Sequence, residues 1–265
     1  MRQQLLNLYL NTLNIKVQTP SLAFVKEIQE KHLATFSFNN IAVLLRDEIS
    51  LDMENIIEKI VVKGLGGYCF EHNALMYEVL NSLGFDTRLL IGRVINKQNI
   101  ETPRTHRVTL LLFKGKEYLV DVGFGSYCLR EPIEVANISS CKTHRLIKEG
   151  KKYKLQLSVK NDFITLYEFD LDIYTQADCI MGNFYSSNYK DAVFMNNFVI
   201  SLIKEDITLS LKNNTYHRIK KDATEEQSIE CTEDLHKIIN NDFGIALSIQ
   251  QCKELQETGA IRSPS

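Results

Sequence analysis

Residues 64–84 read GLGGYCFEHNALMYEVLNSLG: two adjacent glycines, a cysteine, then Met76, Leu80 and Leu83 at helical spacing up to Gly84. Adjacent glycines bend a backbone sharply or bring it close to something. Cys69 then falls in the first turn of a helix, where unpaired N–H groups and the helix dipole favour a thiolate. The same place also suits an inert cysteine, since free Cys is among the most buried residue types.

The segments on either side of this stretch differ in period. Before it, MRQQLLNLYLNTLNI (1–15) reads as an amphipathic first helix. Its leucines are interrupted by Asn, Gln and Thr, so it lacks the continuous apolar core of a signal peptide. A second helix is expected over Pro20–Ala34, opened by Thr19-Pro20-Ser21. A loop or short strand follows through TFSFNNIAVLL, then a helical stretch, DMENIIEKIVVK. From Phe85 the period becomes that of strands: TRLLIGRV, HRVTLLLF, EYLVDVGF, KYKLQLSV and FITLYEFD, with a hairpin turn at Lys114-Gly115-Lys116. From about Ala192 the pattern mixes strands (NFVISLIK, ITLSLKN, TYHRIKK) with a closing helix, TEDLHKIINNDFG. In that helix Thr232 is the expected cap and Leu235 with Ile238 or Ile239 the apolar stripe. The tail ETGAIRSPS is expected to fray. This divides the chain into a helical part (1–84), a strand-rich part (85–191) and a mixed part (192–265).

With 265 residues, 44% of them hydrophobic and 24% charged, the chain can bury a substantial core and is not globally disordered. A net charge of −2 gives no general attraction to nucleic acid or to an anionic membrane, and no apolar run is long enough to span a bilayer. The six cysteines (69, 128, 141, 179, 231, 252) lack any C-x-x-C and read as reduced thiols of a cytoplasmic protein. The six histidines are scattered, so no metal is expected.

A nucleophilic cysteine needs a nearby base and a third group to hold that base. Two histidines qualify. His72 lies three residues beyond Cys69 on the same helix. His106 begins the strand whose hairpin partner carries Asp121. A two-residue turn puts Asp121 on the sheet face of His106, Val108 and Leu110, whereas a three-residue turn separates them unless a bulge intervenes. Asp121 interrupts an apolar run, and a carboxylate buried there needs a partner; the alternatives are a strand end or an exposed edge. The glycine-rich VGFGS after it offers backbone N–H groups to a phosphate or thioester, though such loops are common in turns.

Together these segments resemble the arylamine N-acetyltransferase family. GGYCFEHN is similar to the family's R-G-G-[YW]-C-[FL]-E-x-N, and THRVTLLLFKGKEYLVDVGFG to its histidine and Y-L-V-D-V-G-F-G segments. FSFNNI is similar to its P-F-E-N-L stretch, and DFGIAL to its closing F-G-I. The resemblance runs in order over nearly the whole chain. It implies an α+β fold: an N-terminal helical bundle, a central β-barrel and a C-terminal α/β lid around a cysteine-protease-like Cys-His-Asp core. It implies acetyl transfer from acetyl-CoA through a thioester on Cys69 to an arylamine, arylhydrazine or N-hydroxyarylamine. His106 would be the base and Asp121 the group that orients it. It implies coenzyme A contacts at Thr105, Gly123 and Phe124, with Phe124 also lining the acceptor pocket. The glycines before Tyr68 are expected to let acyl-CoA approach the sulfur, and the thiol pKa is expected to fall well below about 8.5.

The sequence departs from the family at the arginine before the glycine pair, here Leu65, and at the proline and glutamate of P-F-E-N, here Ser37 and Asn39. Losing both members of a charge pair avoids leaving one buried charge alone, so Leu65 and Asn39 are expected side by side, with Leu65 packed on the first lobe. Against the resemblance, His72 is expected to be a plain helix residue and Cys128 a packed one. The basic cluster HRIKKD (217–222) is expected to be a solvated strand end, with the coenzyme A 3′-phosphate as its alternative role. The rival activities are a related amide synthase, a thiol amidohydrolase, and a non-catalytic binding module.

Overall fold

In a computed structural model the chain is described over residues 1–95, 102–160 and 162–261. Helices α1 (Gln3–Thr12) and α2 (Leu22–Thr35) open the fold. The second starts after Pro20, because the Ser21 hydroxyl caps it by accepting the Phe24 N–H at 3.1 Å. A two-residue strand, β1 (Phe38–Asn39), precedes α3 (Ile41–Leu44) and α4 (Met53–Ile57). Helix α4 runs on into a π-helical turn at Glu58–Val62, and α5 (Cys69–Ser82) follows. Buried Tyr9, Ile28, Ile56 and Leu75 knit these helices together. As the spacing predicts, α5 stops just before Gly84, which takes a left-handed φ of +85°.

Eight antiparallel strands form a nearly closed barrel. They are β2 (Asp86–Val94), β3 (Arg104–Phe113), β4 (Lys116–Val120), β5 (Ile133–Glu134), β6 (Ile138–Cys141), β7 (His144–Glu149), β8 (Lys152–Val159) and β9 (Asp162–Phe169). Leu90, Val108, Leu110, Leu119, Leu155 and Tyr167 fill the interior. Phe113 pairs with Lys116 across a two-residue turn in which Lys114 and Gly115 both have positive φ, the geometry favoured in tight hairpins. That even–odd register puts Asp121 on the face of His106. Strand β4 ends at Val120, short of the EYLVDVGF run, because the Asp121 carboxylate accepts the Gly123 N–H and turns the chain out of the ladder.

The chain then forms α6 (Gln176–Asn188), α7 (Val193–Asn196), β10 (Val199–Ile203), β11 (Thr208–Lys212), β12 (Thr215–Ile219), β13 (Thr224–Ser228), α8 (Thr232–Asn241) and α9 (Ile249–Glu257). The second sheet has the order β1-β10-β11-β12-β13, so its edge strand comes from the N-terminal part of the chain. Helices α8 and α9 pack Leu235, Ile239, Cys252 and Leu255 against Ile200 and Leu211 of this sheet. The cap of α8 is Cys231, which makes Thr232 its first helical residue instead of its cap. The expectation of a frayed tail fails at Ala260 and Ile261, which are buried in this cluster; residues 262–265 lie outside the described residues. The basic cluster on β12 is neutralised from β13 and α8: His217 pairs with Glu226, Arg218 with Glu225 and Asp242, and Lys220 with Glu225. Among the described residues, no helix is long and apolar enough to cross a membrane.

Candidate active site

Cys69 occupies the first helical position of α5, its sulfur almost fully enclosed and 3.4 Å from the Thr105 carbonyl, to which the thiol donates. That carbonyl belongs to the residue before His106, so the thiol and the imidazole share one point on β3. The His106 ring lies in the barrel between Phe124 and Tyr167, with centroids 4.9 and 4.7 Å away. Its Nε2 is 2.8 Å from Asp121 Oδ2, which leaves Nδ1 without a hydrogen-bond partner among the described residues.

Asp121 is completely buried, and its carboxylate accepts four hydrogen bonds from N–H and O–H donors and a longer one, 3.9 Å, from the Cys128 thiol. Oδ2 takes His106 Nε2–H and the Tyr167 hydroxyl (2.9 Å), while Oδ1 takes Asn73 Nδ2 (2.9 Å) and the Gly123 N–H (2.8 Å). Burial pushes this carboxyl up, but the His106 charge and these donors outweigh it and hold the carboxyl below its ordinary range. Asn73 is the residue that sequence reasoning missed on the helix side. It lies one turn beyond Cys69 on the same face, donates to the Arg107 carbonyl, and accepts the Val122 N–H. Tyr167 was missed too; its only signal was a polar-tipped residue at an inward position of β9.

Gly123 packs against Cys69. A Cβ there would lie 2.8 Å from Cys69 Cα and 2.6 Å from Asn73 Nδ2. The three residues expected at coenzyme A lie around Cys69 and His106: the Thr105 carbonyl at the thiol, the Gly123 backbone against Cys69, and the Phe124 ring on His106. Gly66 and Gly67 serve a different purpose from the one expected. A Cβ on Gly66 would strike the Ser37 carbonyl at 2.1 Å, and one on Gly67 the Glu71 carboxylate at 2.7 Å. The protein's own backbone, bridging Phe38 to Gly67, is what the glycines admit.

The thiol pKa also departs from expectation. Burial pushes the Cys69 thiol up and the Asp121 charge adds to the push, while the backbone N–H groups of Arg107 and Phe70 pull it down less strongly. A helix terminus is too weak to offset enclosure at this depth. Cys128 is packed, as expected: its sulfur accepts the Phe124 N–H and donates to the Asp121 carbonyl, bracing the glycine loop.

Leu65 and Asn39 adjoin, as the paired departure predicts, through Asn39 Nδ2 to the Leu65 carbonyl at 2.9 Å. Leu65 packs on the cluster of the second sheet, however, not on the first lobe. The cation near the cysteine loop is Lys59, on the π-helical turn. Its Nζ is 2.6 Å from Glu71 Oε1, while Glu71 Oε2 accepts the Tyr68 N–H at the start of α5.

His72 is a residue of α5 with a structural hydrogen-bonding role. It is buried, and its rings and neighbours define one direction of hydrogen bonding. The Tyr9 hydroxyl donates to His32 Nδ1, His32 Nε2–H to His72 Nδ1, and His72 Nε2–H to the Ser37 carbonyl. The chain requires both rings to be neutral. Burial, the largest cause for each, lowers His72 to about 4 and His32 well below its ordinary value. With folded pKa values below the unfolded 6.5, the pair's stabilisation is complete above that pH and is lost as pH falls toward 4. His72 alone should cost about 1.4 kcal/mol between pH 7.5 and 5.5, and His32 acts in the same direction. Urea midpoints at the two pH values test this; equal stabilities would refute it.

Comparison with known proteins agrees with this geometry. The N-acetyltransferase family model matches residues 21–252. An arylamine N-acetyltransferase of Escherichia coli K12 is 33% identical over 230 residues, covering 84% of this chain and 82% of its own. A Salmonella typhimurium arylamine N-acetyltransferase / N-hydroxyarylamine O-acetyltransferase is 30% identical over 236 residues, covering 86% and 84%. A solved arylamine N-acetyltransferase of Salmonella typhimurium superposes with a TM-score of 0.91 at 28% identity over 97% of this chain and 99% of that one. The Mycobacterium marinum enzyme in complex with CoA gives 0.89 at 25% over 96% and 99%. The fold and the enclosed thiol thus define an acyltransferase. The chain belongs to the arylamine N-acetyltransferase family.

Proposed function

We propose that the protein transfers an acetyl group from acetyl-CoA to an arylamine, arylhydrazine or N-hydroxyarylamine in two half-reactions through Cys69. The observation that carries this reading is the fully satisfied Asp121 carboxylate on His106 Nε2, which leaves Nδ1 without a partner among the described residues, one residue along β3 from the carbonyl that the enclosed Cys69 thiol reaches. An isolated thiolate is unfavourable at that depth, so the proton moves to His106 Nδ1 and the thiolate forms together with the imidazolium that Asp121 stabilises. Sγ attacks the thioester carbonyl, the bond from that carbon to the coenzyme A sulfur breaks, and His106 returns the proton to the departing thiolate. The acceptor nitrogen (or hydroxylamine oxygen) then attacks the acetyl-cysteine, gives its proton to His106 and releases Sγ. The backbone N–H of Cys69 at the start of α5 serves the oxyanion.

Thr105, Gly123 and Phe124 are the coenzyme A contacts in this reading, and Phe124 also faces the acceptor. The free cysteines suit a reducing cytoplasm. After incubation with acetyl-CoA alone, intact mass should rise by one acetyl group in the wild type and not in Cys69→Ala. Adding an arylamine should discharge it. A wild type that hydrolyses amides without taking up acetyl would favour the amidohydrolase reading instead.

A further inference from the structure

Side chains alternate along β3, so His106 enters the barrel and Arg107 leaves it on the opposite face. There, between α5, β2 and residues 172–176, lies a cavity of about 580 Å³ away from the catalytic thiol. Arg107 forms part of its wall, although the residue is only 3% exposed. Its guanidinium has a Gln176 amide oxygen at 3.2 Å and the Tyr77 ring at 5.5 Å. Its Nε has no partner, and no carboxylate pairs with it among the described residues. Glu78, also on the wall, is engaged by the Met1 ammonium. Thr87 lies on the same sheet face of β2 and also lines the cavity; its buried hydroxyl lacks a partner as well. A desolvated guanidinium without a counter-charge is costly, and its planar fork matches a carboxylate or a phosphate.

The charges at the mouth choose between those two. Asp52 and Asp172 are exposed there and oppose entry of a multiply charged anion; of the two arginines on the wall, Arg88 is half-buried and donates to the Leu171 carbonyl, which leaves Arg107 as the one buried guanidinium among the described lining residues. Leu51, Leu89 and the tyrosines Tyr77 and Tyr174 supply apolar wall. We propose that this cavity is a binding site for a small monocarboxylate with an apolar body, its carboxylate held by Arg107 and Thr87. The site is distinct from the catalytic one, and the backbone of Arg107, whose N–H faces Cys69 Sγ, links the two.

Benzoate is the probe, titrated calorimetrically into the full chain and into Cys69→Ala, which separates this site from acetyl transfer. Saturable binding is expected in both proteins, weakened at least tenfold in Arg107→Gln. Asp172→Asn, an exposed change that leaves packing alone, should bind a few fold more tightly. Neutral benzamide and inorganic phosphate should not saturate. If Arg107→Gln fails to fold, Thr87→Val with Asp172→Asn carries the same test. The proposal falls if benzoate does not bind, if Arg107→Gln binds it equally well, if phosphate matches it, or if coenzyme A displaces it.

Discussion

Asp121→Asn should lower turnover by roughly 10³–10⁴-fold, the scale seen when a triad carboxylate becomes an amide. The asparagine preserves shape but not the donor–acceptor arrangement. Oδ2 now accepts from both His106 Nε2–H and Tyr167 OH; an amide nitrogen there has protons to give and meets two donors. The imidazole must then turn its lone pair toward residue 121, which puts the proton on Nδ1 and removes the base from Cys69. Although burial raises the isolated thiol, a His106 held by Asp121 to accept its proton should let alkylation by iodoacetamide plateau near neutral pH in the wild type. In Asp121→Asn it should keep climbing beyond pH 9. A variant with wild-type turnover and an unchanged alkylation profile would exclude this role for Asp121.

Lys59→Met should destabilise the fold by about 3 kcal/mol, because it leaves the Glu71 carboxylate buried without its cation. Glu71 side-chain exposure is only 2%, against 24% for Lys59, so water cannot replace the ammonium at the carboxylate. The double variant Lys59→Met with Glu71→Gln should recover part of the loss. Urea unfolding of the two singles and the double gives the coupling energy; additive losses would mean the pair contributes nothing specific. Since Glu71 also fixes the N–H of Tyr68, Lys59→Arg should retain both stability and turnover.

The parts of this protein legible in its sequence are those where burial and period agree. The β3–β4 hairpin is one: a two-residue turn fixed the register, and the register put His106 and Asp121 on one face. Helix α6 shows the opposite. Its large apolar residues Ile180, Met181 and Phe184 face outward, while Cys179, Gly182 and Ser186 face inward. Gly182 is inside because a Cβ there would meet the Phe70 ring at 2.6 Å. No apolar stripe announces such a helix. Strand β13 is fully exposed and held by ion pairs to β12, so its TEEQS sequence carries no strand signal. At the site, residue type and hairpin spacing allowed a Cys69, His106 and Asp121 set with His72 as a second candidate base, and the family resemblance chose His106. Asn73, Tyr167 and the Lys59–Glu71 pair were not legible, because their roles depend on partners 12 to 48 residues away. The burial that pushes the Cys69 thiol up was not legible for the same reason: a helix terminus is visible in sequence, whereas depth is not.

The two-residue strand β1 has a consequence for the cysteine loop. It pairs with β10, and Ser37 Oγ donates to the Phe243 carbonyl 206 residues downstream. The same segment bridges to Gly67, two residues before the nucleophile. Loops this long close slowly. The cysteine loop is thus braced by a segment that a long-range, slowly closing contact with the second sheet holds in place.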